Sequence, residues 1–478
     1  IGTGHVHRCL NIARKFKQKK NKCYFFSNEY PGNINKLIQN EFDFIKLSTK
    51  YSNDIYSDKS NLIDANLTIK LIKKLKIDLL FLDSYLIKEQ WEKKVSKFCK
   101  IVFISDFLDR KSFCNYYINY NVPYENDYIS KNLPIKSKKL IGSDYSIIKK
   151  LPNFKKNKNK KKITVFMGGV DTKNFTKRIV NILSNKIFRD FEKIIIVGLR
   201  NKNMNTIKEQ IKKLKNFYYV LGNKKNLYSF FLNSDLVITG VGTSMYEHFA
   251  LGLNSIVIAQ NKLQNKIVNS LSLLNLINFI KYKQNISKSY INKVLNQKYL
   301  LDKRNTLKNL FDTRGTTRIV DYFLSKNILK KAKLKKAKYE DRFFLFKLLN
   351  DPEVIKNSLK RTSTSIESHN KWIKKNIYKK NTKIFIFKST NHNLGQVRFD
   401  RISKNKTMIT YSISNEFRKS DFGLQMLNLA LKKNSFKTPV YATVKKNNIP
   451  SNKIMKKLGF LIEKKKQKDD LIYYYKKS

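Results

Sequence analysis

A histidine set in a glycine turn opens the chain. The segment Ile1-Gly2-Thr3-Gly4-His5-Val6-His7-Arg8-Cys9-Leu10 reads as a glycine-rich turn entering a helix, with Leu10 and Ala13 on one face. Glycines let a backbone approach a ligand closely, and the free N–H groups of a helix start favour an anion or a polar sugar. A histidine at such a turn would sit in a cleft, where it can take a proton near neutral pH. The plainer account is an ordinary helix-start histidine. Two further small-residue loops follow strand-like runs. They are Phe166-Met167-Gly168-Gly169-Val170-Asp171 and Thr239-Gly240-Val241-Gly242-Thr243-Ser244, the second continuing into Met245-Tyr246-Glu247-His248. Loops at the carboxyl ends of parallel strands are where open α/β sheets bind nucleotides. The N–H groups of Thr243 and Ser244 would face a diphosphate, and Glu247, one helical turn later, is suited to accept hydrogen bonds from two ribose hydroxyls. A solvated carboxylate favoured by the helix dipole is the plainer account of Glu247.

Near the C-terminus, the stretch from Tyr411 through Arg418 and Asp421 to Leu424 ends a strand and starts a helix. Its amides around Arg418–Leu424 could cradle a pyrophosphate. Further on, Asn448-Ile449-Pro450-Ser451 leads to Lys457-Leu458-Gly459-Phe460. Helix capping by Ser451 and termination at Gly459 account for that segment on their own.

The elements that must hold these residues alternate. Apolar runs at Lys22–Ser27, Ile77–Asp83, Lys100–Ser105, Lys162–Met167, Lys193–Gly198, Asp235–Thr239 and Asn254–Ala259 are separated by helical patterns, which predicts parallel sheets built from βαβ units. The charged stretch Lys149–Lys162 divides them into two Rossmann-like domains, 1–150 and 151–325, and the opening motif implies a leading strand before Ile1. A basic linker at 326–337 precedes a third domain, 338–478. There, helices at Glu340–Asn350 and Ser365–Ile377 precede an antiparallel meander of Ile384–Lys388, Gly395–Ile402 and Thr407–Ile413. A helix at Leu424–Lys433, a strand at Val440–Val444, a helix at Ser451–Leu458 and a strand near Leu471–Tyr475 complete a mixed α/β domain.

The 478 residues carry 99 Lys and Arg against 35 Asp and Glu, a net charge of +64. A hydrophobic share of 41% supplies real cores and excludes a wholly disordered basic tail. The charge invites a nucleic-acid-binding reading. Yet only 14 of the basic residues are Arg and 85 are Lys, spread through nearly every segment with abundant Asn and Ile. Arg is favoured for forked phosphate contacts, so the pattern is read as compositional bias and no nucleic-acid partner is expected. No apolar stretch reaches the roughly 18 residues of a membrane span. Cys9, Cys23, Cys99 and Cys114 have no metal-site or disulfide spacing, so a cytoplasmic chain without metal is expected.

Taken in order and spacing, the opening GTGHVHRCL, FLDSY at 81–85, FMGGVD at 166–171 and TGVGTSMYEHFALG at 239–252 resemble the UDP-sugar hydrolases of pseudaminic acid biosynthesis. That family hydrolyses UDP-2,4-diacetamido-2,4,6-trideoxy-β-L-altropyranose and is similar in fold to the GT-B glycosyltransferases. The resemblance implies that water, activated by His5, attacks the anomeric carbon with inversion and releases UDP, while Tyr85 positions the sugar. It assigns UDP-sugar contacts to Gly4, Arg8, Asp83, Gly168, Gly169, Asp171, Thr243, Ser244, Glu247 and Asn261. Ser84 departs from the family pattern, which has His before that Tyr.

Residues 338–478 resemble the GNAT N-acetyltransferases, including the branch of the same pathway, through His369-x-x-Trp372 and Gly395-Gln396-Val397-Arg398. This implies acetyl-CoA as cosubstrate, bound by Ile413, Arg418, Lys419, Phe422, Gly423, Leu424, Asn448 and Ser451. Asp421 departs at the first loop glycine. Met455 departs where many relatives carry a Tyr that protonates the leaving CoA thiolate. The expectation is a bifunctional enzyme that acetylates the UDP-4-amino sugar and hydrolyses the product, tethering raising the local concentration of the intermediate. Two alternatives stand beside it: a GT-B glycosyltransferase using a UDP-sugar with a separate acceptor, and a basic nucleic-acid-binding protein.

Overall fold

Short runs dense in Ile, Val and Leu, such as KITVF, EKIIIV and SIVI, have no polar face to give to water and so settle in sheets covered on both sides. The computed structural model describes residues 4–28, 33–47, 57–106, 110–121, 131–134, 136–149, 151, 161–222, 227–297, 301–324, 332–359, 362–418, 421–433, 438–463 and 470–476. The chain folds as two compact units, with the boundary between Val320 and Asp321. Lys419 lies outside the described residues.

The first unit holds both Rossmann-like halves, so the two domains expected at 1–150 and 151–325 form one compact body. In the first half, β1 (Tyr24–Ser27) and β2 (Asp43–Lys46) pair in parallel. The strands β3 (Leu79–Leu82), β4 (Lys100–Ile104), β5 (Tyr116–Asn119) and β6 (Lys138–Ile141) form a second parallel sheet in that order. Ile101, Phe103, Tyr117 and Val95 anchor its core.

In the second half, β7 (Lys162–Phe166), β8 (Glu192–Val197), β9 (Phe217–Leu221), β10 (Leu236–Gly240), β11 (Ser255–Ile258) and β12 (Asn278–Ile280) are parallel throughout. Their spatial order is β12-β11-β10-β7-β8-β9. The chain therefore winds outward from β7 in one direction, then returns beside it and winds outward in the other, and the order reverses between β7 and β10. Ile163, Val165, Ile195, Leu236, Ile238 and Ile256 are buried around that reversal, each stabilising the fold by about 1.5–3 kcal/mol. A crevice opens at such a reversal, outside the carboxyl ends of the strands.

The second unit is built on one mixed sheet. Its strands are β13 (Lys333–Lys336), β14 (Thr382–Lys388), β15 (Asn393–Ser403), β16 (Lys406–Ile413), β17 (Val440–Lys445), β18 (Leu461–Ile462) and β19 (Leu471–Lys476), in the order β13-β14-β15-β16-β17-β19-β18. All neighbours are antiparallel except β16 and β17. Alternation along β14 sends Ile384 and Ile386 into the core under helices Arg342–Leu349 and Ile366–Asn376. Phe387, Val397 and Phe399 pack on the opposite side with helices Phe422–Lys432 and Ile449–Lys457. The linker expected to reach 337 is shorter, because Lys333–Lys336 pair with β14 and Leu334 is buried between them. Alternating lysines disguise that edge strand, a common way of protecting a sheet edge.

Candidate active site

Helix Gly4–Gln18 presents His5 and Arg8 from the same side, three residues apart. Asp83, the first residue after β3, lies opposite them and is almost fully buried. His5 Nδ1 and Asp83 Oδ1 are 2.6 Å apart. Arg8 donates to the same carboxylate through Nη2 at 2.6 Å and through Nε. Burial alone would push Asp83 up, but the Arg8 charge and the hydrogen bonds from Arg8 and His5 outweigh it and hold the carboxyl below its ordinary value. An ionised Asp83 can only accept, so His5 Nδ1 donates to it, and Nε2 is the ring nitrogen left for a reacting group. The geometry is that of a base oriented by a carboxylate.

Arg8 is 3% exposed, and its remaining donors go to Asp106, at 2.9 Å to each oxygen, and to Tyr120 at 3.2 Å. Both Arg8 and Asp83 were expected against UDP. They are instead spent on each other and on their neighbours, because a buried guanidinium without carboxylates would cost several kcal/mol. Tyr85 donates to Asp106 Oδ2 at 2.8 Å and sets its ring edge-on to His5, with centroids 4.8 Å apart. Burial and the Asp106 charge push its phenol up, so it remains a neutral donor. Asp106 was missed in the sequence. Its signal was there, since it follows β4 as Asp83 follows the adjacent β3.

The loops after β7 and β10 flank the reversal point of the second sheet. Gly168 has φ 92°, and a side chain added there or at Gly169 or Gly242 would meet open space. Behind them, a Cβ on Gly198 would fall 2.4 Å from the Gly168 carbonyl oxygen and 2.5 Å from Gly169 Cα, so the loop rests directly on the end of β8. Gln260 Nε2 donates to the Met167 carbonyl at 2.9 Å and Gln264 Nε2 to the Val241 carbonyl at 3.1 Å, tying the two loops together.

Thr243 and Ser244 open helix Thr243–Ala250, whose N-cap Gly242 supplies no side-chain hydrogen bond. A Cβ on Gly4 would lie 3.7 Å from Thr243 Cγ2, so the starts of two helices, one from each half of the unit, meet. A diphosphate bound beside two helix starts would find free N–H groups and the positive ends of their dipoles. Tyr246 reinforces the junction through its hydrogen bond to Asn121 and its edge-on contact with Tyr120.

Asp171 and Asn261 are engaged in capping helices, whereas Glu247 keeps one oxygen uncommitted. Asp171 accepts from the backbone of Phe175 and Thr176 at 2.9 Å each and from the Thr176 hydroxyl at 2.6 Å, so its carboxylate caps the first N–H groups of helix Phe175–Leu183 from three residues before the N-cap Asn174. Asn261 caps helix Lys262–Ser272 by accepting from the Gln264 N–H at 2.9 Å. Glu247 Oε1 accepts from Tyr228 at 3.0 Å, which leaves the other oxygen for a ligand. Burial pushes the Glu247 carboxyl up, against the Tyr228 hydrogen bond and the Lys149 charge.

In the second unit, Ile413 ends β16 and its carbonyl accepts from Arg418 Nε at 2.9 Å. Arg418 also pairs with Asp351 at 2.7 Å and with Glu353 at 2.8 Å. Its side chain therefore braces the loop whose amides are expected to cradle the pyrophosphate. The loop amides are left for that task. Asp421 at the N-cap of helix Phe422–Lys432 makes no side-chain cap bond, and Phe422 packs on Phe417. Gly423 lies against Ile454, where an added Cβ would come to 3.0 Å, and Leu424 packs at the edge of the core. Asn448 caps the next helix by accepting from the Ser451 N–H at 3.3 Å. Among the described residues, no cluster of three or more His, Cys, Asp or Glu is placed to hold a metal ion, and no helix is long and apolar enough to cross a membrane.

Residues 332–461 match the acetyltransferase (GNAT) domain family. The chain thus carries a C-terminal GNAT domain, and acetyl-CoA is the cosubstrate of that chemistry. The whole chain is similar to an uncharacterised protein of Methanocaldococcus jannaschii, 25% identical over 498 residues that cover 99% of this chain and 97% of the relative. The first unit has the fold of MurG from Acinetobacter baumannii, with a TM-score of 0.50 at 13% identity over 67% of this chain and 96% of that one. Spermidine N-acetyltransferase from Vibrio cholerae, solved with CoA and spermine, is 16% identical over 31% of this chain and 95% of its own, with a TM-score of 0.28. The N-terminal region is GT-B-like, and its match is to a glycosyltransferase. That match goes against the expected UDP-sugar hydrolysis.

Proposed function

We propose that the first unit is a GT-B glycosyltransferase that takes a UDP-sugar and a separate hydroxyl acceptor, and that the C-terminal GNAT domain acetylates an amine on one of the same molecules. The observation that carries this reading is the pairing of His5 with Asp83 at a helix start that meets the start of helix Thr243–Ala250. His5 Nε2 would take the proton of the acceptor hydroxyl as its oxygen attacks the anomeric carbon. The two helix starts, with Gly168, Gly169, Gly242, Thr243 and Ser244, would neutralise the departing diphosphate, which needs little further acid assistance. Tyr85 would orient the sugar, and Glu247 would hold the ribose. Asp83 and Arg8 act through His5 as positioning residues. The Methanocaldococcus relative, covering both modules over nearly its full length, supports a single working chain. Four free thiols fit a reducing compartment, and the cytoplasm is proposed on that ground.

Release of UDP from a UDP-sugar tests the reading. Release should rise steeply when a hydroxyl acceptor is added, and His5→Ala should lower it by about 10²–10⁴-fold, the usual contribution of a general base. Full-rate release in water alone, or an unchanged rate in His5→Ala, would refute it.

A further inference from the structure

One buried tyrosine of the first unit has its ring in one half and its hydroxyl in the other. Tyr246 lies on helix Thr243–Ala250, three residues after the start proposed for the diphosphate. Its ring is held by the second half, tilted against Phe311 at 5.5 Å and edge-on to Phe249 at 6.0 Å. Its hydroxyl hydrogen-bonds Asn121 Oδ1 of the first half. Tyr246 is 3% exposed and Asn121 5%, so water is no substitute for either partner.

Asn121 is itself fixed. Its backbone N–H donates to Asn119 Oδ1 and its side-chain Nδ2 to the Asp106 carbonyl, both at 2.9 Å. With Nδ2 spent as that donor, Oδ1 is the acceptor that faces Tyr246, and the phenol donates to it. Burial pushes the Tyr246 phenol well above its ordinary value, so this proton stays in place at neutral pH. The carboxylate of Asp106 in turn accepts from Tyr85 at 2.8 Å and from Arg8 at 2.9 Å. A second contact runs beside the first, since Tyr246 is edge-on to Tyr120 at 5.3 Å and the Tyr120 hydroxyl accepts from Arg8 at 3.2 Å. Both contacts of Tyr246 therefore end on the groups that orient His5 and Tyr85.

We propose that Tyr246 is a positioning residue that couples the nucleotide-binding helix to the cluster around His5, its hydroxyl bond to Asn121 fixing the helix start relative to Asp106. The inference rests on the reading of the first unit as an enzyme of UDP-sugars. In that reading the base stands on one half and the departing diphosphate on the other. A misplacement of about 1 Å between such groups can cost about 10²-fold in rate. The apolar rings around Tyr246 tolerate sliding, whereas a hydrogen bond to one acceptor weakens steeply with misalignment. UDP seated on helix Thr243–Ala250 should accordingly stiffen the Asn121 side of the first half as well.

Hydrogen exchange of the full chain with and without UDP tests the coupling, the quantity read being the ratio of the two rates. In the wild type UDP should slow exchange at residues 243–250 and, by about fivefold, at residues 112–121, the lower end of coupling between sites. Tyr246→Phe keeps the ring and should bring the ratio at 112–121 below twofold, while the slowing at 243–250 and the UDP affinity by calorimetry stay within twofold of the wild type. Asn121→Ala removes the acceptor and should act alike, and the double variant should lose no more than either single one. A purely structural role would raise exchange with and without UDP together and keep the ratio unchanged. That result, or a wild type that binds UDP without slowing at 112–121, would overturn the coupling and leave the nucleotide reading standing. A wild-type chain that does not bind UDP would overturn both.

Discussion

His248 lies on helix Thr243–Ala250 and is completely buried, its ring 4.3 Å from that of Phe231. Among the described residues neither ring nitrogen finds a hydrogen-bond partner. Burial pushes its pKa from 6.5 down to about 3. The unfolded chain therefore binds a proton at this site that the folded chain refuses. Stability from His248 is complete above the unfolded value and is lost as pH falls through 6.5 towards 3. At 1.36 kcal/mol per unit, the 1.5 units between 6.5 and pH 5 correspond to about 2 kcal/mol. His248→Leu, of similar volume, abolishes the titration. Urea unfolding would be measured from pH 8 to 5 in a Trp372→Phe background, so that buried Trp91, the other of the two tryptophans, reports on the first unit. The wild type should lose about 2 kcal/mol more than the Leu variant over that interval. Parallel stability curves would mean that His248 protonates as readily folded as unfolded, and the burial argument would fail.

Arg8→Met strands the buried Asp83 and the partly buried Asp106 without their cation. Loss of one partner of such a cluster should cost about 3–5 kcal/mol, read as a fall in the urea midpoint, with activity lost as well. Gly198→Ala drives a Cβ into the backbone of Gly168 and Gly169; a stability loss of about 1–3 kcal/mol should accompany weaker UDP binding by calorimetry. Asp171→Ala removes a helix cap. It should cost roughly 0.5–2 kcal/mol while KM for the UDP-sugar stays within twofold, whereas a large rise in KM would return Asp171 to the ligand.

The sequence reveals most where burial is continuous. Runs such as Lys162–Phe166 and Leu236–Gly240 cannot be mistaken, and the glycine loops behind them fall at the reversal of strand order. β2, β5, β6, β9 and β12 escape: DFIK, KKLI and NFI are short and mixed with polar residues, and YYIN and FYYVL are rich in tyrosine, which water also tolerates. Residue types are legible in the candidate site, but their commitments are not. Arg8 is recognisable as a cation at a helix start, yet its second carboxylate is Asp106, 98 residues away. Arg418 is likewise claimed by Asp351 and Glu353 from a distant helix. Asp171 is a different failure, since its cap is local and a carboxylate four residues before Phe175 and five before Thr176 could have been read as one.

The interlocked glycines behind the β7 loop have an evolutionary consequence. Only 15 of 478 residues are glycine, about 3% against an ordinary 7% or so. In a lineage whose codons drift towards Lys, Asn and Ile, glycine is under steady mutational pressure to disappear. At Gly198, Gly315 and Gly395, however, an added Cβ would fall 2.2–2.5 Å from a backbone atom. Drift stops at that steric wall. The few glycines of such a chain thus become a stencil of where backbones must touch, and one of them, Gly198, lies directly behind the proposed nucleotide crevice.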